Sequence, residues 1–222
     1  MLQISVIKLD LIQQIIRQLT SFFQLPSEEE TQLVNMIDKA LLRLEKNLSG
    51  KVNYYLNPFT RDGNVLNFNV LHSGQYLIFL YYLSNSIFND YPESKLAGKV
   101  YYLNKIMNGV DLFYEIKLPD FFGTEHPVGS VMGRAKYGND FFFYQGCTVG
   151  STSNEDCSYN HPIIGENVCM YPNSAILGKC KIGNNVNIGA GAIVKNQDIP
   201  DNSTVFGQSP NIVIKTKYTK YY

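Results

Sequence analysis

Three histidines, His72, His126 and His161, are the side chains of this chain best suited to carry a proton near neutral pH. Two of them precede proline, in "TEHPVGSVMG" and "SYNHPIIGENV". A histidine in that setting serves as an ordinary turn residue as readily as a general base, so its surroundings must decide. His161 closes "STSNEDCSYN", an irregular stretch that interrupts an otherwise regular repeat, and long irregular insertions in regular scaffolds usually serve function. His72 falls on a helix of the first half and reads as structural. The four cysteines, Cys147, Cys157, Cys169 and Cys180, contain no C-x-x-C pair and no metal-ligand spacing. They read as reduced thiols of a cytoplasmic protein.

The elements that must position these histidines differ between the two halves of the chain. In "AILGKCKIGNNVNIGAGAIVK" aliphatic residues stand at Ile176, Ile182, Ile188 and Val194, and the register runs back to Met170 and Ile164. A helix repeats near 3.6 and an exposed strand at 2. A period of six fits neither. It fits a triangular coil in which each face is a strand of about four residues followed by a two-residue corner. Stacked coils pair as parallel strands about 4.8 Å apart. The aliphatic residue points into the prism, and the smaller fifth members, Val168, Ser174, Cys180, Val186 and Ala192, let each corner close. Asparagine and glycine at the corners tolerate positive φ. Each coil covers the core of the next, which is the logic of a repeat protein. An ordinary β-sandwich with chance spacing is the competing reading. A zinc centre built from three histidine ligands would find only two histidines in this region, so no metal is expected.

The first half reads as helices. "SVIKLDLIQQIIRQLTSFF" places Leu9, Ile12, Ile15, Ile16 and Leu19 as a stripe on one helix face. After Pro26, Ser27 with Glu30 three residues on suggests a capping box for a helix that stops near Gly50. "NPFTRDGN" reads as a loop, "SGQYLIFLYYLSNSIF" as a heavily buried third helix, and "ESKLAGKVYYLNKIMNG" as a fourth ending at Gly109. The expected fold class is α+β, with a helical N-terminal domain over 1–110, a parallel β-helix of roughly five coils over 111–214, and a tail over 215–222.

Composition narrows the partners. Nineteen basic residues balance nineteen acidic ones, which gives no charge-based case for nucleic acid or a membrane surface. The most apolar run, Tyr76–Phe88, is too short and too polar to span a bilayer, and the N-terminus lacks the tripartite pattern of a signal peptide.

The hexad pattern resembles the left-handed parallel β-helix of the hexapeptide-repeat acyltransferases, and the hand is implied by that family alone. Within it, "VDLFYEIKLPDFFGTEHPVG" and "FFFYQGCTVGST" followed by "NHPIIGENV" are similar to the active-site segments of serine acetyltransferases. The resemblance implies acetyl-CoA as co-substrate and direct acetyl transfer to an alcohol in a ternary complex. Carried over residue by residue, it makes His126 the general base, Asp111 its orienting partner, and His161 a contact to the acceptor hydroxyl from a facing β-helix. Glu125 stands where the family has an acidic residue beside the base. The implied cofactor contacts are Ser151, Thr152, Pro172 and Ala190, with Lys195 a phosphate partner. A homotrimer, or a hexamer formed from two, follows because the site needs two prisms.

Two positions depart from the family pattern. Asn160 replaces the arginine that pairs with the serine carboxylate, and Asn57 stands where an aspartate helps hold the amino group. Asparagine donates and accepts, which suits a sugar hydroxyl better than a zwitterion. The expected acceptor is therefore a sugar of surface-polysaccharide biosynthesis, and the alternative is L-serine, with Arg134 or Lys136 restoring the carboxylate contact. A non-catalytic trimeric scaffold is the third reading. The ending "KTKYTKYY" lacks the family's terminal isoleucine, so no cysteine synthase complex is expected.

Overall fold

The computed structural model describes residues 2–51 and 66–217. These divide into two compact units, one of 2–49, 66–108 and 113–115, the other of 50–51, 109–112 and 116–217. The loop expected at "NPFTRDGN" lies outside the described residues.

Four helices build the first unit. In α1 (Lys8–Thr20) the buried stripe is Leu11, Ile15 and Leu19, flanked by the half-buried Ile12 and Ile16. Leu9 does not belong to the stripe and is 58% exposed. Two helical residues span about 200°, so once Leu11 faces inward Leu9 must face out. The helix α2 (Ser27–Leu48) has Pro26 at its N-cap and no side-chain cap, so the capping box read from Ser27 and Glu30 is not formed. Ser27 is instead the first helical residue, its carbonyl accepting from Thr31 Oγ1 at 2.9 Å. Glu28, Glu29 and Glu30 occupy the first turn, where the helix dipole favours negative charge.

The helix α3 (Ser73–Asp90) is buried on every side from Gly74 to Ile87 and packs between α2 and α4 (Leu96–Asn108). His72 caps α3, its Nδ1 accepting from the Gln75 amide at 3.4 Å, which gives it the structural role expected of it. Polar groups on the buried α3 are satisfied from its neighbours. Arg43 donates to Asn85 Oδ1 at 2.8 Å with its guanidinium 4.4 Å above the Tyr82 ring, and Asn104 donates to the Leu77 carbonyl at 3.0 Å. Strands Leu2–Ile4 and Leu66–Phe68 pair in parallel beside these helices, an element with too few residues to show a period.

The second unit is a three-faced stack of parallel strands. Asp111–Leu112, Val131–Met132, Thr148–Gly150, Ala175–Leu177 and Ile193–Lys195 pair in succession on the first face. Lys136–Tyr137, Ile163–Ile164 and Lys181–Ile182 form the second. Phe122–Thr124, Phe141–Phe143, Cys169–Met170, Asn187–Ile188 and Ser203–Phe206 form the third. Val213–Thr216 then runs back antiparallel along Ser203–Phe206. Strands are two or three residues long in most coils, shorter than expected, and the corners correspondingly longer.

The hexad residues behave as their spacing demands. Ile164 stands beside Ile182, Met170 beside Ile188 and Ile176 beside Val194, all at most 3% exposed. Each such burial stabilises by roughly 1.5–3 kcal/mol. The fifth members Val168, Ser174, Cys180, Val186 and Ala192 are buried too. At the corner between the second and third faces, Asp140, Asn167, Asn185 and Asn202 all take positive φ. There Asn167 donates to Asn185 Oδ1 at 2.9 Å and Asn185 to Asn202 Oδ1 at 2.7 Å, a side-chain ladder running along the stack. Only glycine fits at Gly165 on this corner, because a Cβ would lie 2.7 Å from the Gly183 carbonyl oxygen.

Candidate active site

The singled-out residues of the second unit gather at the two corners that bound the first face. None falls on the asparagine corner.

The corner between the third and first faces carries His126. The chain leaves strand Phe122–Thr124 through Glu125, whose amide donates to the Phe143 carbonyl at 3.3 Å, and turns at His126 with φ of 51°. That left-handed conformation is uncommon for any residue but glycine, although histidine enters it more readily than most, and such outliers cluster at functional positions. The His126 side chain is 79% exposed, with Nε2 3.8 Å from Glu125 Oε1. After Pro127 the chain meets the Asp111 segment: Gly129 donates to the Gly109 carbonyl and the Asp111 amide donates to the Ser130 carbonyl, both at 2.8 Å. Asp111 thus opens the first-face strand into which the His126 corner leads. Higher on the same corner lie Pro172, whose carbonyl accepts from Gly191 at 2.9 Å, and the exposed Ala190.

The corner between the first and second faces carries His161. Here the chain leaves Thr148–Gly150, makes a short antiparallel arm from Thr152–Ser153 and Tyr159–Asn160, and returns at His161. Ser151 Oγ and His161 Nδ1 lie 2.7 Å apart and clamp the base of the arm. Tyr159 stacks along the imidazole at 6.5 Å between centroids. Asn160 is paired with Thr152 across the arm and donates to Asn154 Oδ1 at 2.6 Å. One coil above, Thr152 Oγ1 approaches Asn196 Oδ1 at 3.4 Å, and the Lys195 amide donates to Ser209 Oγ at 3.0 Å while its side chain is exposed. Beneath the arm, Gly133 donates to the Val149 carbonyl, which brings the exposed Arg134 to this same corner.

The structure therefore brings Ser151, Thr152, Asn160, His161 and Lys195 to one corner, and Glu125, His126, Pro172 and Ala190 to another. It does not bring His126 and His161 together. A six-residue face at about 3.3 Å per residue sets neighbouring corners up to roughly 20 Å apart. Asn57 lies outside the described residues. Among the described residues no group of three or more His, Cys, Asp or Glu side chains could hold a metal ion, and no helix is long and apolar enough to cross a membrane.

Two side chains in register with Glu125, on the corner that carries His126, escaped the sequence reading. Tyr144 and Tyr171 follow the strand residues Phe143 and Met170 as Glu125 follows Thr124, and their rings stack at 5.6 Å and 20°. The hexad register, carried one residue past each third-face strand, would have found this column.

Residues 161–196 match the family model described as bacterial transferase hexapeptide (six repeats). A serine acetyltransferase of Staphylococcus epidermidis is 30% identical over 145 residues, 64% of this chain and 66% of that protein. The solved serine acetyltransferase of Neisseria gonorrhoeae is 25% identical, with a TM-score of 0.69 over 91% of this chain and 78% of that one. This chain carries hexapeptide repeats and is similar to serine acetyltransferases. Its fold is the helical domain followed by a left-handed parallel β-helix that the sequence led us to expect. A serine acetyltransferase solved in complex with CoA shares that fold at 19% identity, with a TM-score of 0.63 over 86% of this chain and 77% of that one. The match to the curated relatives spans 66% of their length, just under two thirds. This serine acetyltransferase-like chain keeps both histidines of the resemblance and carries Asn160 immediately before the second.

Proposed function

We propose that this chain is an acetyl-CoA-dependent O-acetyltransferase whose active site forms between the His126 corner of one prism and the His161 corner of another. The observation that carries this reading is the placement of the two histidines at the two corners that bound the first face. One prism alone holds them a face apart, whereas two prisms of a trimer set one corner against the other.

In this reading His126 Nε2 takes the proton from the acceptor hydroxyl as that oxygen attacks the thioester carbonyl of acetyl-CoA. The carbon–sulfur bond breaks as the tetrahedral intermediate collapses, and the imidazolium returns its proton to the departing CoA sulfur. Asp111 orients the His126 ring and stabilises the imidazolium. His161 is held by Ser151, which leaves its Nε2 free to meet the acceptor oxygen. Acetyl-CoA lies along the groove between prisms, against Thr152, Pro172 and Ala190, with Lys195 near a phosphate. Ser151, expected among the cofactor contacts, acts in this scheme through His161.

The acceptor we favour is a sugar hydroxyl, because a neutral Asn160 stands beside His161 where serine binding calls for a cation. L-Serine is the second reading. It is favoured by the names of the relatives and by Arg134, which shares the His161 corner. Thiol release from acetyl-CoA, measured with L-serine and with a panel of nucleotide sugars and free glycans against a His126→Ala control, tests both. Release with serine alone would overturn the sugar acceptor. No release above the control with any acceptor would overturn the enzyme.

A further inference from the structure

The arm that ends at His161 contains a hydrogen-bond chain with one allowed direction. Asp156 Oδ1 accepts from the Ser158 hydroxyl at 2.6 Å and from the Ser158 amide at 3.0 Å. Those two bonds hold the Asp156 carboxyl below the usual carboxylate range, so near neutral pH it can only accept. The single hydroxyl hydrogen of Ser158 is committed to it, and Ser158 Oγ must therefore accept from its other neighbour. That neighbour is Asn154, which presents Nδ2 at 2.8 Å. With its amino group so used, Asn154 turns Oδ1 towards Asn160, which must present Nδ2 in its turn, at 2.6 Å.

Every donor in the chain points towards Asp156. Turning over either amide would set oxygen against oxygen or nitrogen against nitrogen. An asparagine amide is ordinarily free to show either end to a ligand. This one is not. Among the described residues no hydrogen bond reaches Asn160 Oδ1, so the carbonyl is the end left available at the base of the arm, next to His161.

We infer that Asn160 is fixed with its carbonyl oxygen towards the acceptor, and that this subsite selects a hydrogen-bond donor, a neutral hydroxyl, and rejects a carboxylate. The inference rests on the reading of the His161 corner as the acceptor site. Asn154 and Ser158 are then positioning residues that act on the substrate only through Asn160.

The test uses two matched acceptor pairs on the full chain, serinol with L-serine and galactose with galacturonate. In each pair a hydroxymethyl group is exchanged for a carboxylate. Binding is read by saturation-transfer NMR, and turnover by thiol release alongside. We expect the hydroxymethyl member of at least one pair to bind at least tenfold more tightly than its carboxylate partner. Ser158→Ala lets both amides turn and should cut that preference about 3- to 10-fold, the worth of one hydrogen bond, through KM with kcat unchanged. Ser158→Thr keeps the hydroxyl that links Asp156 to Asn154 and should retain the preference, whereas an arm of merely structural importance would respond alike to both changes. Equal or tighter binding of the carboxylates, or binding of neither member of either pair, would overturn the inference. A preference for the hydroxymethyl members in binding without any thiol release would leave it standing and sink the acetyltransferase reading instead.

Discussion

Replacing His126 by glycine and by alanine should separate its two burdens, one chemical and one conformational. At φ of 51° the residue carries a left-handed backbone that costs an ordinary side chain about 1–2 kcal/mol. Pro127 adds to it, since a residue before proline is steered towards extended conformations. The side chain is 79% exposed and reaches no closer than 3.8 Å to Glu125 Oε1, so its removal sacrifices almost no packing. Glycine removes the strain but adds about 0.4–1 kcal/mol of unfolded-state entropy, which leaves a net gain of about 0.5–1 kcal/mol. For a chain of this size that is a rise of about 1–4 °C in melting temperature. Alanine keeps the strain and should melt with the wild type. Both substitutions should lower thiol release from acetyl-CoA by about 10²–10⁴, the range for loss of a general base. Calorimetry on the three proteins and single-substrate kinetics decide the matter. If His126→Gly melts no higher than His126→Ala, the corner is not strained. If either variant turns over within threefold of the wild type, His126 is not the base.

Four further expectations concern the scaffold. Ile188→Ala empties a fully buried hexad position between Met170 and Val205 and should cost about 2–5 kcal/mol, seen as a lower denaturation midpoint at unchanged slope. Gly178→Ala sets a Cβ 2.2 Å from Asn196 Oδ1 and 2.4 Å from Thr152 Oγ1 at φ of +76°. It should cost about 2–3 kcal/mol and, on the proposed placement of the cofactor, raise KM for acetyl-CoA. Burial pushes the Cys169 thiol up to about 12, so the folded chain holds a proton that the unfolded chain releases near pH 9. That contribution to stability is whole below pH 9 and is lost as pH rises from 9 towards 12. Melting temperature should fall over this interval, and more gently in Cys169→Ala. A thiol reagent at neutral pH should modify the exposed Cys157 first.

The β-helix was legible because its signal is geometric. One inward side chain per face repeats at a fixed interval, and Ile164 through Val194 keep that interval without a break. The corners that carry chemistry were harder to place, because the arm resets the count. Phe143 pairs with Met170, twenty-seven positions on, whereas Met170 pairs with Ile188 after eighteen, so nothing in the spacing alone assigns His126 and His161 to different corners. The helical half was legible as helices but not in detail. Leu9 was drawn into the α1 stripe by hydrophobicity although its angle excludes it, and Ser27 passed for a cap because Pro26, one residue earlier, had already set the extended backbone that a cap requires. The direction of the Asn160 amide could not have been read at all. It depends on four side chains brought together by the arm's turn, and on which of them is an anion.

The strand Val213–Thr216 gives the stack an end. Parallel coils present an unpaired edge to whatever follows, and an open edge of that kind is a template for joining molecules tip to tip into fibres. By folding back along Ser203–Phe206, the chain spends that edge on itself. Among the described residues the terminator's hydrogen bonds hold the last rungs, through the Lys217 amide to the Asn202 carbonyl at 2.7 Å and Lys217 Nζ to Asn187 Oδ1 at 3.0 Å. It therefore has no stake in how many coils lie beneath it. An eighteen-residue duplication below Asn187 would raise the plug by one storey and leave the rungs bearing His126 and His161 where they are, while lifting Ala190 and Lys195 one coil away from them. Length in this architecture is a variable that evolution or a designer can change without moving the two histidines, at the cost of re-spacing the groove above them.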